Sequence, residues 1–192
     1  MAVEYEVIKD KFEQLRNFII NDLTLIIQQE TGGNYLAACL IACACEALSR
    51  FKYGSPHKGE LFFSEMTLPS KWQPVAESLY DALRNGIVHG YDTKFIIVGS
   101  QRIEIVVSWR QHPHLTFLPG TTYLYLNIQT MAADLERALT KYKAELKTDP
   151  KLRDRFWQTM RDMSNEWDQP AQGKELGAWK ELLMHEKGDR LL

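Results

Sequence analysis

Residues 79–91 read Leu79-Tyr80-Asp81-Ala82-Leu83-Arg84-Asn85-Gly86-Ile87-Val88-His89-Gly90-Tyr91, and their spacing predicts an amphipathic helix that stops at Gly90. Val75, Leu79, Leu83 and Ile87 recur at four-residue intervals and form one apolar stripe. At about 100° per residue, Ser78, Asp81, Asn85 and His89 fall on roughly the opposite side. Gly90 suits the left-handed position just past a helix C-terminus. His89 would then lie among free carbonyls, where the helix dipole favours an imidazolium. Arg84 and His89 diverge by about 140° on this wheel, so one helix does not aim both at a single phosphate. Two such helices crossing about a two-fold axis would, and a homodimer is therefore expected.

Outward from this stretch the pattern stays helical. On the N-terminal side, residues 3–30 carry Val7, Ile8, Phe12, Leu15, Phe18, Ile19, Leu23, Ile26 and Ile27 at three- and four-residue spacing, which predicts one long helix. Thr31-Gly32-Gly33-Asn34 is a turn in which Asn34 can cap the next helix. Residues 35–52 form that second helix, apolar enough through Leu48 to be central. Its one acid, Glu46, stands four residues before Arg50, so a helix-surface ion pair is one reading. Orientation of the Arg84 site from the neighbouring helix is the other. Phe51 to Gly59 holds Lys52, Tyr53, His57 and Lys58, with Gly54 and Pro56 as breakers. It reads as a solvated loop or, more sharply, as a basic loop in which Lys52, His57 and Lys58 follow RNA phosphates. Glu60 to Met66 is a short helix, and Pro69 and Pro74 bracket the entry to the central stretch.

Beyond Tyr91 the period changes to two. Phe95–Val98, a Gly99-Ser100 turn and Arg102–Trp109 predict a β-hairpin with Ile103, Ile105, Val107 and Trp109 on the buried side. Leu115–Leu118 and Thr122–Asn127 add strands around Pro119-Gly120, completing a small antiparallel β-meander. His112 and His114 flank Pro113 without a nearby carboxylate or thiol, so a loop outweighs a metal site. Asn127 caps a helix with the stripe Ile128, Met131, Leu135, Leu139, Tyr142 and Leu146. Asp149-Pro150 opens another through Trp167, with Leu152, Phe156, Met160, Met163 and Trp167 as its apolar side and Lys147, Lys151, Arg153, Arg155 and Arg161 making its start basic. The expected fold is mainly α: one domain over 1–192, with a helical core at about 3–91 and 128–167, the meander at about 94–127 and a tail at 168–192.

Composition narrows the function. With 192 residues, 45% hydrophobic and 25% charged, the chain suits a single globular core. A net charge of −2 gives no global attraction for nucleic acid, so any RNA contact must come from a local patch. No uninterrupted apolar run has membrane-spanning length, and residues 1–6 lack the basic-then-apolar order of a signal peptide, so the cytoplasm is the expected compartment, with no membrane partner. Cys39, Cys43 and Cys45 crowd one helix, Cys39 and Cys43 on one face, and read as small buried side chains; no metal site is expected. No glycine-rich nucleotide loop is present, which counts against ATPase or kinase chemistry.

The constellation Arg84-Asn85-x-x-x-His89-x-Tyr91, after a Leu79/Leu83 helix and ended by Gly90, resembles the signature of the HEPN superfamily. The His-x-Tyr extension is similar to that of HEPN toxins paired with nucleotidyltransferase antitoxins. The resemblance is anchored on about twenty residues. It implies an up-and-down helical bundle and a metal-independent endoribonuclease, a toxin or defence effector without cofactor, whose paired motifs meet at a dimer interface. It also implies that Tyr91 lies near the site and is a target for nucleotide transfer by a nucleotidyltransferase partner; packing at the helix exit is the other reading of Tyr91. HEPN domains without nuclease activity serve as nucleotide-, RNA- or partner-binding modules, so that function is the alternative.

The residues themselves are suited to such cleavage. A histidine titrates near neutral pH and can move protons to and from RNA oxygens. An arginine offers a permanent forked charge for phosphate oxygens. Asn85 can orient either group. Arg84, His89 and Asn85 are thus the candidate catalytic set, with Asp81, Glu46 and Tyr91 in support. A lone histidine near a helix C-terminus is otherwise a capping or surface residue.

Overall fold

The most apolar helix lies at the centre. In the computed structural model, α2 (Asn34–Tyr53) packs against α1 (Tyr5–Ile27), α3 (Gly59–Glu65), α4 (Ala76–Gly90) and α5 (Ile128–Thr148). Its small residues Ala37, Ala38, Ala42, Ala44 and Cys45 let those neighbours approach closely, and all are buried. The structure describes residues 3–29, 32–66, 69–90, 92–109 and 112–167, with the side chains of 88–90 and 167 set aside. The chain divides into two units, residues 1–160 and 161–192; of the second, only the end of α6 (Pro150–Trp167) is described, and the tail at 168–192 lies outside the described residues.

The helices follow the expected periodicity, with three local differences. On α1 the buried set is Ile8, Phe12, Ile19 and Leu23, whereas Val7 and Phe18 are exposed. On the central stretch Leu79, Leu83 and Ile87 are buried, but Val75 is exposed because it belongs to a 3-10 turn (Ser70–Val75) that precedes α4. Asn34 does not cap α2: Gly33 takes that position at φ 77°, where a β-carbon is unfavourable. The Asn34 amide instead donates to the Val107 carbonyl, 2.8 Å away. Two expected caps are in place. Asn127 Oδ1 accepts from the Thr130 amide at 3.0 Å, and Asp149 Oδ1 from the Lys151 amide at 2.8 Å. Although its apolar run is interrupted, α2 combines 20 residues with a mean hydropathy of 1.2, a length and polarity that would suit a membrane span. Half of that stretch is buried within the protein.

The strands differ more. β1 (Ile96–Val98) and β2 (Gln101–Ser108) form the expected hairpin, and β3 (Thr116–Phe117) pairs antiparallel with β4 (Tyr123–Asn127). The sheet order is β1-β2-β4-β3, with β2 and β4 parallel from Glu104↔Tyr123 to Ser108↔Asn127. The antiparallel meander is thus corrected to a mixed sheet. The chain after β2 returns through β3 on the far edge, so β4 enters beside β2 in the same direction. Ile105, Val107, Leu124 and Leu126 form the buried side. Among the described residues β2 has no strand on its β1 side beyond Ile103; there Thr93 Oγ1 donates to the Ile105 carbonyl at 2.5 Å and Asn34 serves Val107. These two side chains replace strand hydrogen bonds and tie β2 to the helices.

Candidate functional site

The site begins with α4. Buried Leu79, Leu83 and Ile87 fix the rotation of this helix and turn Asp81, Arg84 and Asn85 away from the core. Arg84 reaches α2, where its Nε donates to Glu46 Oε1 at 2.7 Å. Its Nη1 donates to Asn85 Oδ1 at 2.7 Å, and Asn85 Nδ2 donates to Asp81 Oδ1. Four of the expected residues are therefore joined in one chain: Glu46, Arg84, Asn85 and Asp81. Of the two readings of Glu46, the contact across helices to Arg84 is present. The pair is accessible, each side chain being 32% exposed. The hydrogen bond donated to Glu46 raises the Arg84 pKa further, so the guanidinium is cationic at any working pH.

Two thiols border this chain. Cys43 is exposed and Cys39 half-buried on the same face of α2 as Glu46, whereas Cys45 alone is fully buried. Partial burial and the neighbouring Cys39 push the Cys43 thiol up, with Arg84 pulling the other way. It is a neutral thiol near pH 7, not an activated nucleophile.

The side chain of His89 and the whole of Tyr91 lie outside the described residues. The backbone of α4 continues through Gly90, one residue further than expected. Past Tyr91 the chain folds back over α4 at Gly86. The Lys94 amide donates to the Ala82 carbonyl at 3.0 Å, and a β-carbon on Gly86 would stand 2.3 Å from the Asp92 carbonyl oxygen. Gly86 is therefore required for a close backbone crossing. Its sequence signal was available: a glycine inside a helical run costs about 1 kcal/mol relative to alanine and marks a packing reason. Tyr35, Asp92 and Thr93, gathered by this crossing, carried no such signal.

The basic loop resolves into two parts. Lys52 is 7% exposed, and its ammonium lies 2.5 Å from Glu65 and 2.6 Å from Glu145. Its charge is compensated inside the helical unit, which removes it from an exposed phosphate-tracking loop. His57 and Lys58 are exposed on the 3-10 turn Pro56–Lys58. Two of the basic residues near the start of α6 are used internally: Arg155 donates to the Lys52 carbonyl and Arg153 to the Leu146 carbonyl, closing the C-terminal ends of α2 and α5, whereas Lys147 and Lys151 are exposed. The His112 and His114 rings make different contacts. His112 lies 4.1 Å from the Tyr125 ring centroid, and His114 Nδ1 accepts from the Asn127 amide at 3.1 Å.

Compared with known proteins, the chain matches no protein-family model, no curated protein and no solved structure.

Proposed function

We propose that the protein is a metal-independent endoribonuclease of HEPN type, a toxin or defence effector acting on cytoplasmic RNA from a composite site on a homodimer. The observation that carries the reading is the Glu46–Arg84–Asn85–Asp81 chain, which holds a permanently charged guanidinium at the surface of the motif helix. In this mechanism the 2′-hydroxyl attacks the adjacent phosphorus and loses its proton to a base. The bond from phosphorus to the 5′-oxygen breaks, and that oxygen takes up a proton. His89 moves the protons, Arg84 stabilises charge on the phosphate, and Asn85 keeps the guanidinium in place. Glu46 and Asp81 are positioning residues. His57 and Lys58 are outlying phosphate contacts, and Tyr91 is the hydroxyl for a nucleotidyltransferase partner to modify. The products carry a 2′,3′-cyclic phosphate and a 5′-hydroxyl.

One feature favours a second reading. Glu46 matches the Arg84 charge, as in an ion pair that ties α4 to α2, and a non-catalytic RNA-, nucleotide- or partner-binding module needs nothing more. Purified protein incubated with total RNA in EDTA separates the two. The nuclease reading expects cleavage with 5′-hydroxyl ends, lost in His89→Ala. Cleavage that depends on a divalent ion, or leaves 5′-phosphates, contradicts this mechanism. A folded dimer that leaves all RNA intact supports the binding module.

A further inference from the structure

The backbone crossing at Gly86 opens a second feature. Between Tyr35 at the start of α2, Asp92 and Thr93 on the returning chain, and Phe95, Arg102 and Glu104 on the sheet lies a cavity of about 210 Å³. By the hairpin register Ile97 stands opposite Arg102, and Phe95 lies just before β1, two residues back along the same strand direction. The Arg102 guanidinium lies 4.0 Å from the Phe95 ring centroid and 3.2 Å from Glu104. Opposite Glu104 stands Tyr123 of β4, 40% exposed. A guanidinium over an aromatic ring, with the Glu104 carboxylate beside it, therefore lines a small polar cavity.

We propose that this cavity holds one unstacked nucleobase of a single-stranded RNA and prefers bases that carry an exocyclic amino group. The charges select the chemistry. Two carboxylates and one guanidinium line the cavity, a net negative set that opposes phosphate and accepts N–H donors. Carboxylates read amino groups on base edges, which uracil lacks. Phe95 and Arg102 offer an aromatic ring and a guanidinium side by side, and unpaired bases stack on both kinds of group. An alkylammonium would satisfy the carboxylates but would be repelled by Arg102 and would leave these stacking groups unused. The volume also fits one ring system, because pockets for larger ligands run from about 300 to 1,000 Å³. Tyr35, whose hydroxyl is held protonated by burial and by Asp92, steadies that carboxylate at the rim.

The inference rests on the ribonuclease reading for its ligand class. From Tyr35 to Glu46 the path along α2 is about 16 Å. The base would thus belong to a nucleotide near the cleaved bond and not at it, which makes the cavity a determinant of specificity.

The test uses the full chain and short single-stranded oligonucleotides 2′-O-methylated throughout, so that binding is read without cleavage. One strand is all uracil; others carry a single guanine, adenine or cytosine. Fluorescence anisotropy is expected to show at least one amino-bearing strand bound about tenfold more tightly than the all-uracil strand. Asp92→Asn with Glu104→Gln should remove that preference, and Phe95→Ala should weaken all strands about tenfold, with melting temperatures unchanged. Equal binding of every strand by the parent, or full preference in the carboxamide double variant, overturns the proposal. Cleavage of unmodified RNA, assayed in parallel, keeps the two readings apart. Cleavage without base preference overturns the cavity proposal alone; preference in binding without any cleavage upholds the cavity and sinks the nuclease.

Discussion

Arg84 and Lys52 are both cations met by carboxylates from neighbouring helices, yet their surroundings are opposite. The Lys52 side chain is 9% exposed and lies between Glu65 and Glu145, with the Tyr142 ring centroid 5.4 Å from its ammonium. The Arg84 side chain is 32% exposed and continues through Asn85 to Asp81 at the surface. A buried, fully matched cation holds helices together and is closed to ligands. A cation held in place by neutral and charged partners at the surface costs little stability and can meet a phosphate. The position of a charge relative to solvent, more than its residue type, thus decides what it can do.

This contrast is most open to challenge at Lys52. Lys52→Met removes the buried cation from Glu65 and Glu145, whose side chains are 20% and 32% exposed and keep the Lys141 ammonium at 3.6 and 3.8 Å, and is expected to destabilise the fold by about 3 kcal/mol, the low end for breaking a buried pair, read as a lower urea midpoint. A loss below about 1 kcal/mol would place Lys52 with the surface charges and erase the contrast. Next comes Gly86→Ala, which forces a β-carbon against the Asp92 carbonyl and is expected to cost about 1–3 kcal/mol while displacing residues 92–94. Native-state hydrogen exchange at the Lys94 amide, bonded to Ala82, should report that displacement; unchanged protection would mean that the crossing is not tight.

A third prediction sets a titrating group against the permanently charged Arg84. Burial lowers the His114 pKa to about 4, and its Nδ1 accepts from the Asn127 amide. In an unfolded chain the pKa is about 6.5. Between these values the unfolded chain binds the proton and the folded one does not. The stabilisation is therefore complete above about pH 6.5 and declines as the pH falls towards 4. Allowing for partial exposure, the loss is on the order of 1–3 kcal/mol. His114→Gln should flatten that part of the stability-versus-pH curve; an unchanged slope would mean that other groups set it. The smallest effect is expected from Glu46→Gln, which keeps a hydrogen-bond acceptor for Arg84 while removing a surface charge. Stability should change by less than about 1 kcal/mol.

Much of this was legible in the sequence, and the exceptions have physical causes. Apolar periodicity gave the helices because burial repeats every turn, and Asn127 and Asp149 declared themselves as caps because capping is local. Pairing of β2 with β4 was not legible. Alternation places the same residues inward whether a neighbour runs parallel or antiparallel, so the order β1-β2-β4-β3 depends on how the chain returns. Asn34 resembled a cap because its actual partner, the Val107 carbonyl, is far away in sequence. Lys52 looked exposed beside Gly54 and Pro56, and only the folding of α3 and α5 onto α2 brings Glu65 and Glu145 to it. At the site, the wheel offered Glu46 only Arg50, four residues on, and the contact with Arg84 depends on how α2 and α4 pack.

The most direct test compares Arg84→Ala with the parent in two readings from the same preparation: denaturant stability, and cleavage of total RNA in EDTA. Stability is expected to change by no more than about 1 kcal/mol while cleavage falls by roughly 10² to 10³, the loss typical when one stabilising donor is removed from a charged transition state. Cleavage by a folded Arg84→Ala protein at the parent rate would contradict the role given to this guanidinium.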